Sequence, residues 1–163
     1  MRARRLTTMA VLTAVALTIF VLEAQLPPPI PVPGMKLGLA NVVTVFAMYA
    51  LGPVDTLMIL FCRIFLGGLF AGGATLLYSL AGGALCYLAM LVMARLTTAD
   101  QMWAGSAVSA IFFNLGQMGA AILIARTPQL AFYLPILLFT GVCAGLLTGF
   151  AARFLYRRLR KLR

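Results

Sequence analysis

Five polar side chains, Lys36, Asn41, Arg63, Asn114 and Gln117, stand in or at the edge of long apolar runs. Their types suit recognition better than bond-making. Lys and Arg bring positive charge and several donors, while Asn and Gln each bring a carbonyl and an NH2 group. Arg63 is the sharpest of them. It lies near the middle of TLMILFCRIFLGGLF (56–70), and a charge at that depth in hydrocarbon costs from roughly 3 to more than 10 kcal/mol. Such a residue faces a protein interior or a watery cavity, and its unpaired charge favours a ligand with acidic or electron-rich groups. Partners for it are few, because the chain has three acids, Glu23, Asp55 and Asp100.

Covalent and metal chemistry find little support. The chain contains no histidine, so neither a Ser-His nor a Cys-His arrangement can form. Glycines are plentiful, yet no phosphate loop with a following Lys-Ser/Thr occurs. Magnesium and two-metal chemistry need clustered acids, and three scattered ones do not supply them. Cys62, Cys86 and Cys143 all lie within apolar runs without metal-ligand spacing, so we expect buried thiols acting as small hydrophobes. The chain is therefore expected not to be an enzyme, with no catalytic residue, no cofactor and no metal.

The elements that position these groups are membrane helices. With 163 residues, 63% of them hydrophobic and 10% charged, and a mean hydropathy of +1.05, the chain has more apolar surface than a soluble domain of this size can bury. Apolar runs cover about 6–26, 37–51, 54–71, 74–94, 103–125 and 130–150, before a basic tail at 153–163. About 20 residues cross the hydrocarbon. Gly52-Pro53 separates the short second and third runs, which predicts two short or tilted helices joined by a tight turn. The expectation is one all-α integral membrane domain with six transmembrane helices. The Ala71-Gly72-Gly73 junction between the third and fourth is its weakest boundary.

Net charge of +10 does not indicate nucleic-acid binding, because the basic residues cluster at the chain ends and between apolar runs. Placing both termini in the cytoplasm puts ten of the thirteen Lys and Arg residues inside, with Lys36 and Arg126 outside and Arg63 embedded. The expected location is the bacterial cytoplasmic membrane. The first run resembles a secretory signal at its basic start. It is too long for one and lacks an obvious small-residue cleavage site, so it is expected to be retained as a helix. The loop after it, PPPIPVP (27–33), is stiff and extended by composition, serving as a spacer or as a semi-rigid lid edge over an outer cavity.

Small residues mark close helix contacts. Gly141, Gly145 and Gly149 recur along the sixth run, Gly68 pairs with Gly72, and Ser79 with Gly83. Ala10 and Ala14 form a further small-residue face on the first run, open to contact with a separate membrane protein. On the fifth run Ser106, Ser109, Asn114 and Gln117 fall within about 140° of arc. By topology Lys36, Asn41, Glu23, Tyr78, Ser79, Asn114 and Gln117 belong to the outer half, above Arg63. Two readings fit: a pocket open to the outside and floored by Arg63, or interhelical hydrogen bonds with an interfacial aromatic belt. The belt suits Tyr78 and Tyr133 better.

The stretch KLGLAN (36–41), an LxxxRxxLGxL-like spacing around Arg63, NLGQ (114–117) and Pro135 resemble the Gx transporter family. Many of its members carry the label heptaprenyl diphosphate synthase component I. The resemblance covers nearly the whole chain. Phe113 departs from it, where the family pattern often has His before Asn, so no role of that histidine carries over. The family is similar in design to substrate-binding (S) components of energy-coupling factor (ECF) transporters. That likeness implies an S-component-like bundle whose first outer loop closes over a small molecule captured from outside. It implies a ligand site lined by Lys36, Asn41, Arg63, Asn114 and Gln117. It also implies a contact from Ala10 and Ala14 to a transmembrane coupling subunit, driven by separate ATPase subunits. The synthase label points instead to a non-catalytic accessory subunit or prenyl-lipid binder. A structural subunit of a larger membrane complex is a third reading.

Overall fold

The computed structural model describes residues 2–26 and 36–161. The described residues form six α-helices: α1 (Arg2–Ala24), α2 (Asn41–Ala50), α3 (Pro53–Ala71), α4 (Gly73–Leu96), α5 (Met102–Ala125) and α6 (Leu134–Lys161). Short 3-10 turns at Ala99–Gln101 and Pro128–Tyr133 precede α5 and α6. The proline-rich segment expected to be a stiff spacer or lid edge lies outside the described residues.

Five of the helices are long and apolar enough to cross a membrane, and α2 is not. Its 10 residues extend about 15 Å, half the hydrocarbon thickness. The sequence predicted a spanning helix over 37–51, so the second element is shorter than expected. The reason lies in residues 36–40, which stay non-helical. Side chains from other helices hold this backbone: Gln117 bonds both backbone groups of Lys36, and Glu23 accepts the Gly38 N–H. Gly38 sits at φ 83°, a conformation strained for any residue with a Cβ.

Two other glycines set the connections. Gly52 at φ 93° turns the chain from α2 into α3, where Pro53 starts the helix. Gly72 at φ 89° is the single residue between α3 and α4. It was expected to pack with Gly68, but it is exposed and acts as the hinge, while Gly68 lies against Leu76. α6 runs on through the basic stretch predicted as a tail, which is rich in good helix formers.

Both described chain ends lie at one end of the bundle. Arg5 near the start of α1 bonds Asp55 in the first turn of α3. Tyr49 near the end of α2 bonds Thr97 after α4, and Arg157 late in α6 bonds Asp100 before α5. We call this the terminal end and the other the far end. α4, α5 and α6 pack most extensively, through glycine seams. A Cβ on Gly116 would meet Ala81 O at 2.5 Å, and one on Gly149 would meet Trp103 Cα at 2.5 Å. The Gly141, Gly145, Gly149 stripe is thus occupied by α5. By contrast, α1 packs mainly on α3 and α2, and leaves Ala10 and Ala14 exposed.

The distribution of polarity is inverted relative to a soluble domain. Phe132, Leu123 and Phe70 are 85%, 79% and 75% exposed, whereas Arg63, Asn114 and Gln117 are buried. A surface of this kind is stable only under lipid, so the chain is a multi-pass membrane protein. Of the three cysteines only Cys86 is buried inside the bundle; Cys62 and Cys143 sit on its outer surface, contrary to expectation. Tyr78 also departs from the belt reading, since it packs in the core with Met118, Ala121 and Leu137. Tyr133 is exposed as a belt residue would be.

Candidate binding site

Three charged side chains are buried together toward the far end, one from each of three segments. Glu23 comes from the last turn of α1, Lys36 from the non-helical stretch before α2, and Arg63 from the middle of α3. Lys36 interacts electrostatically with both others, attracted by Glu23 and repelled by Arg63. Burial lowers its pKa to about 8, Glu23 opposes the shift and Arg63 adds to it.

The way each charge is held explains why the three do not collapse into salt bridges. Gly38 N–H donates to Glu23 Oε1 at 2.5 Å, anchoring one carboxylate oxygen on backbone. Lys36 Nζ rests 3.1 Å from the Phe20 ring centroid and donates to Phe20 O at 3.3 Å, a cation–π contact strengthened by burial. Glu23 Oε2 and Arg63 Nε have no hydrogen-bond partner among the described residues. Neither do Asn41 Oδ1 and Asn114 Oδ1. Buried polar atoms are normally satisfied, and each one left unmatched costs about 1–3 kcal/mol. Arg153 Nε at the terminal end is a fifth such atom, but it stands 3.8 Å from Asp100 Oδ1 in an ion pair; the other four call for an explanation.

The five residues singled out in the sequence divide in two. Lys36 and Arg63 belong to the charged cluster; Asn41 opens α2 beside the loop, its N–H bonded to Gly38 O at 2.9 Å and its side chain next to Gly38. Gln117 reaches the cluster as a clamp. Its Oε1 accepts the Lys36 N–H at 3.2 Å and its Nε2 donates to Lys36 O at 2.9 Å, so both ends of the amide are used on backbone. Asn114 faces α6, donating from Nδ2 to Leu137 O at 2.8 Å next to Gly141. The polar arc on α5 is therefore split: Gln117 serves the loop, Asn114 and Ser106 both bond α6, the latter through Thr148, and Ser109 bonds Gly105 O of its own helix.

A family model described as heptaprenyl diphosphate synthase component I matches residues 12–155. The chain belongs to this family. It is the family to which the KLGLAN and NLGQ motifs pointed. No curated protein matches the chain, and no solved structure does. In this family member every residue of the charged cluster lies within the matched segment.

The sequence under-read four positions. Glu23 was placed at the outer end of its helix but not in the site, although it is the carboxylate of the cluster. A carboxylate near the end of an apolar run, in a chain with three acids and one mid-run arginine, was the available signal. Phe20 has no signal of its own, since an apolar residue in an apolar helix looks like lipid contact. Phe113, the departure from the family pattern, lies against the loop: a Cβ on Gly38 would meet its ring at 2.9 Å. Cys86, read as an inert thiol, is fully buried within electrostatic reach of Arg63.

Proposed function

We propose that this chain is the substrate-binding component of an uptake transporter of the energy-coupling factor type, capturing a small molecule at its far end. One observation carries the reading: Glu23, Lys36 and Arg63 are buried together, yet Glu23 Oε2, Arg63 Nε and the neighbouring Asn41 Oδ1 are left without hydrogen-bond partners among the described residues. A purely structural cluster would close on itself, because unmatched buried polar atoms lower stability with no return. A site that awaits a ligand leaves them open.

The rest of the reading follows from charge and surface. The terminal end carries most of the Lys and Arg residues and is assigned to the cytoplasm, which puts the far end outside. In this arrangement α2 makes the sixth crossing, short as it is, with Lys36 on the outer side of its start. Ala10 and Ala14 lie on the face of α1 that no helix of this chain covers, and small residues there admit close approach by a coupling subunit. ATP is hydrolysed on separate subunits. This chain performs no catalysis.

The family's description supports a second reading, a non-catalytic accessory or prenyl-lipid binder linked to isoprenoid synthesis. A thermal-shift screen of the purified protein separates the two. Vitamins, flavins and quinone precursors are tested against prenyl diphosphates. Stabilisation by a soluble vitamin-like compound supports uptake, whereas stabilisation by prenyl diphosphates alone supports the accessory role. No stabilisation by either leaves a structural subunit and rejects both.

A further inference from the structure

The unmatched atoms of the cluster are of two complementary kinds, and this bears on the chemistry of what fills it. Among the described residues Arg63 Nε is a donor without a hydrogen-bond acceptor. Among the same residues Glu23 Oε2 and Asn41 Oδ1 are acceptors without a hydrogen-bond donor. A direct Glu23–Arg63 bridge would settle two of these at once, but the ion pairs in contact among the described residues are Arg5–Asp55 and those of Asp100 with Arg153 and Arg157. Glu23 is held off by its bond to the Gly38 N–H, and Lys36 is held on the Phe20 ring and carbonyl rather than on a carboxylate.

We propose that the site takes a compact amphoteric molecule, with a single anionic group on Arg63 and Lys36 and at least one N–H or O–H donor on Glu23 and Asn41. This rests on the binding reading above and narrows it. Two cations and one carboxylate leave the cluster one positive charge in excess, which a single negative charge neutralises. A hydrocarbon chain would match none of the open atoms. A diphosphate without donors would match Arg63 but leave Glu23 Oε2 and Asn41 Oδ1 unpaired, and its extra charges would face the Glu23 carboxylate. Like charges set together in a recognition site cost several kcal/mol. A site built to hydrogen-bond a group also rejects analogues lacking it strongly, because its own polar atoms are then left buried and unpaired.

The test is retention on the purified full-length protein. A small-molecule extract of bacterial cells, supplemented with equal amounts of orotate (one carboxylate, two N–H donors), benzoate (a carboxylate alone) and geranyl diphosphate, is passed over the protein. After washing and denaturation, the released compounds are identified by mass spectrometry. The expected result is that singly anionic compounds bearing donors dominate by about tenfold or more. Glu23→Gln should lower their retention by at least about tenfold while its thermal midpoint stays near wild type. Dominance by donor-free or multiply charged anions overturns this inference and leaves the binding reading standing. Release of nothing removes the binding reading, and this inference with it. The wild-type result does not depend on the variant, so a poorly folding Glu23→Gln does not blunt the test.

Discussion

The two ends of the bundle treat the same residue types in opposite ways. At the terminal end each acid is matched: Asp55 receives a two-point contact from Arg5 at 2.6 and 2.5 Å, and Asp100 receives Arg157 at 2.6 Å. These pairs tie the start of α1 to α3, and α6 to the α4–α5 junction. Toward the far end one Glu23 oxygen and the Arg63 Nε–H make no hydrogen bond among the described residues, although both are buried. Matched pairs where helices are latched and unmatched ones where they are not separate two jobs that charge performs here. Burial sharpens the difference, since an exposed unmatched ion costs little and a buried one costs several kcal/mol.

Breaking the far end should have the largest consequence. Arg63→Ala is expected to lower binding of an anionic compound at least about 100-fold, as measured by equilibrium dialysis, while the protein still inserts and purifies. Normal binding by the alanine variant would place the site elsewhere, and failure to fold would make Arg63 a structural hub. Next in size is a pH effect from Lys36, whose pKa burial has lowered to about 8. Lys36 is charged below that value and neutral above it, so its pull on an anionic group is present at lower pH and fades as pH rises through about 8. Affinity should fall about tenfold between pH 7 and pH 9, and Lys36→Gln should flatten the profile.

At the terminal end the same kind of change should act on stability and spare binding. Arg5→Ala strands the Asp55 carboxylate, and we expect a modest loss of stability, read as a lower thermal or denaturant midpoint with binding unchanged. Arg5 is itself exposed, which keeps the cost below that of a fully buried pair. Asp100→Asn should have the smallest effect, under about 0.5 kcal/mol and vanishing in high salt, because its pairs lie at the surface. If Arg5→Ala abolished binding as thoroughly as Arg63→Ala, the contrast between the ends would be lost.

Much of the helix layout was legible because its signals are local. Gly52-Pro53 separates α2 from α3 as read, and α3, α4 and α5 keep close to their predicted limits. The small-residue stripe on α6 also reads correctly, since spacing of four residues places glycines on one face wherever the helix packs. The shortness of α2 was not legible. KLGLAN has the composition of a helix start, and only the bonds from Glu23 and Gln117, far off in sequence, draw its backbone out of helical geometry. Tyr78 failed for a similar reason: an aromatic near a helix end looks the same whether it faces lipid or Met118.

The site divides along the same line. Composition and hydropathy establish a multi-pass helical membrane protein with a charge buried at Arg63, because the transfer energy of a residue into lipid depends on its own type and its depth. Which polar atoms end matched is a property of the folded bundle. It depends on how Glu23, Lys36, Asn41, Arg63 and Gln117 are set across four helices and a loop, and a hydrogen bond is lost within an ångström or so of misplacement. Only the packed structure decides that Gln117 is spent on the loop backbone, that Asn114 turns to α6, and that Glu23 and Arg63 are left open to each other's surroundings rather than closed on one another.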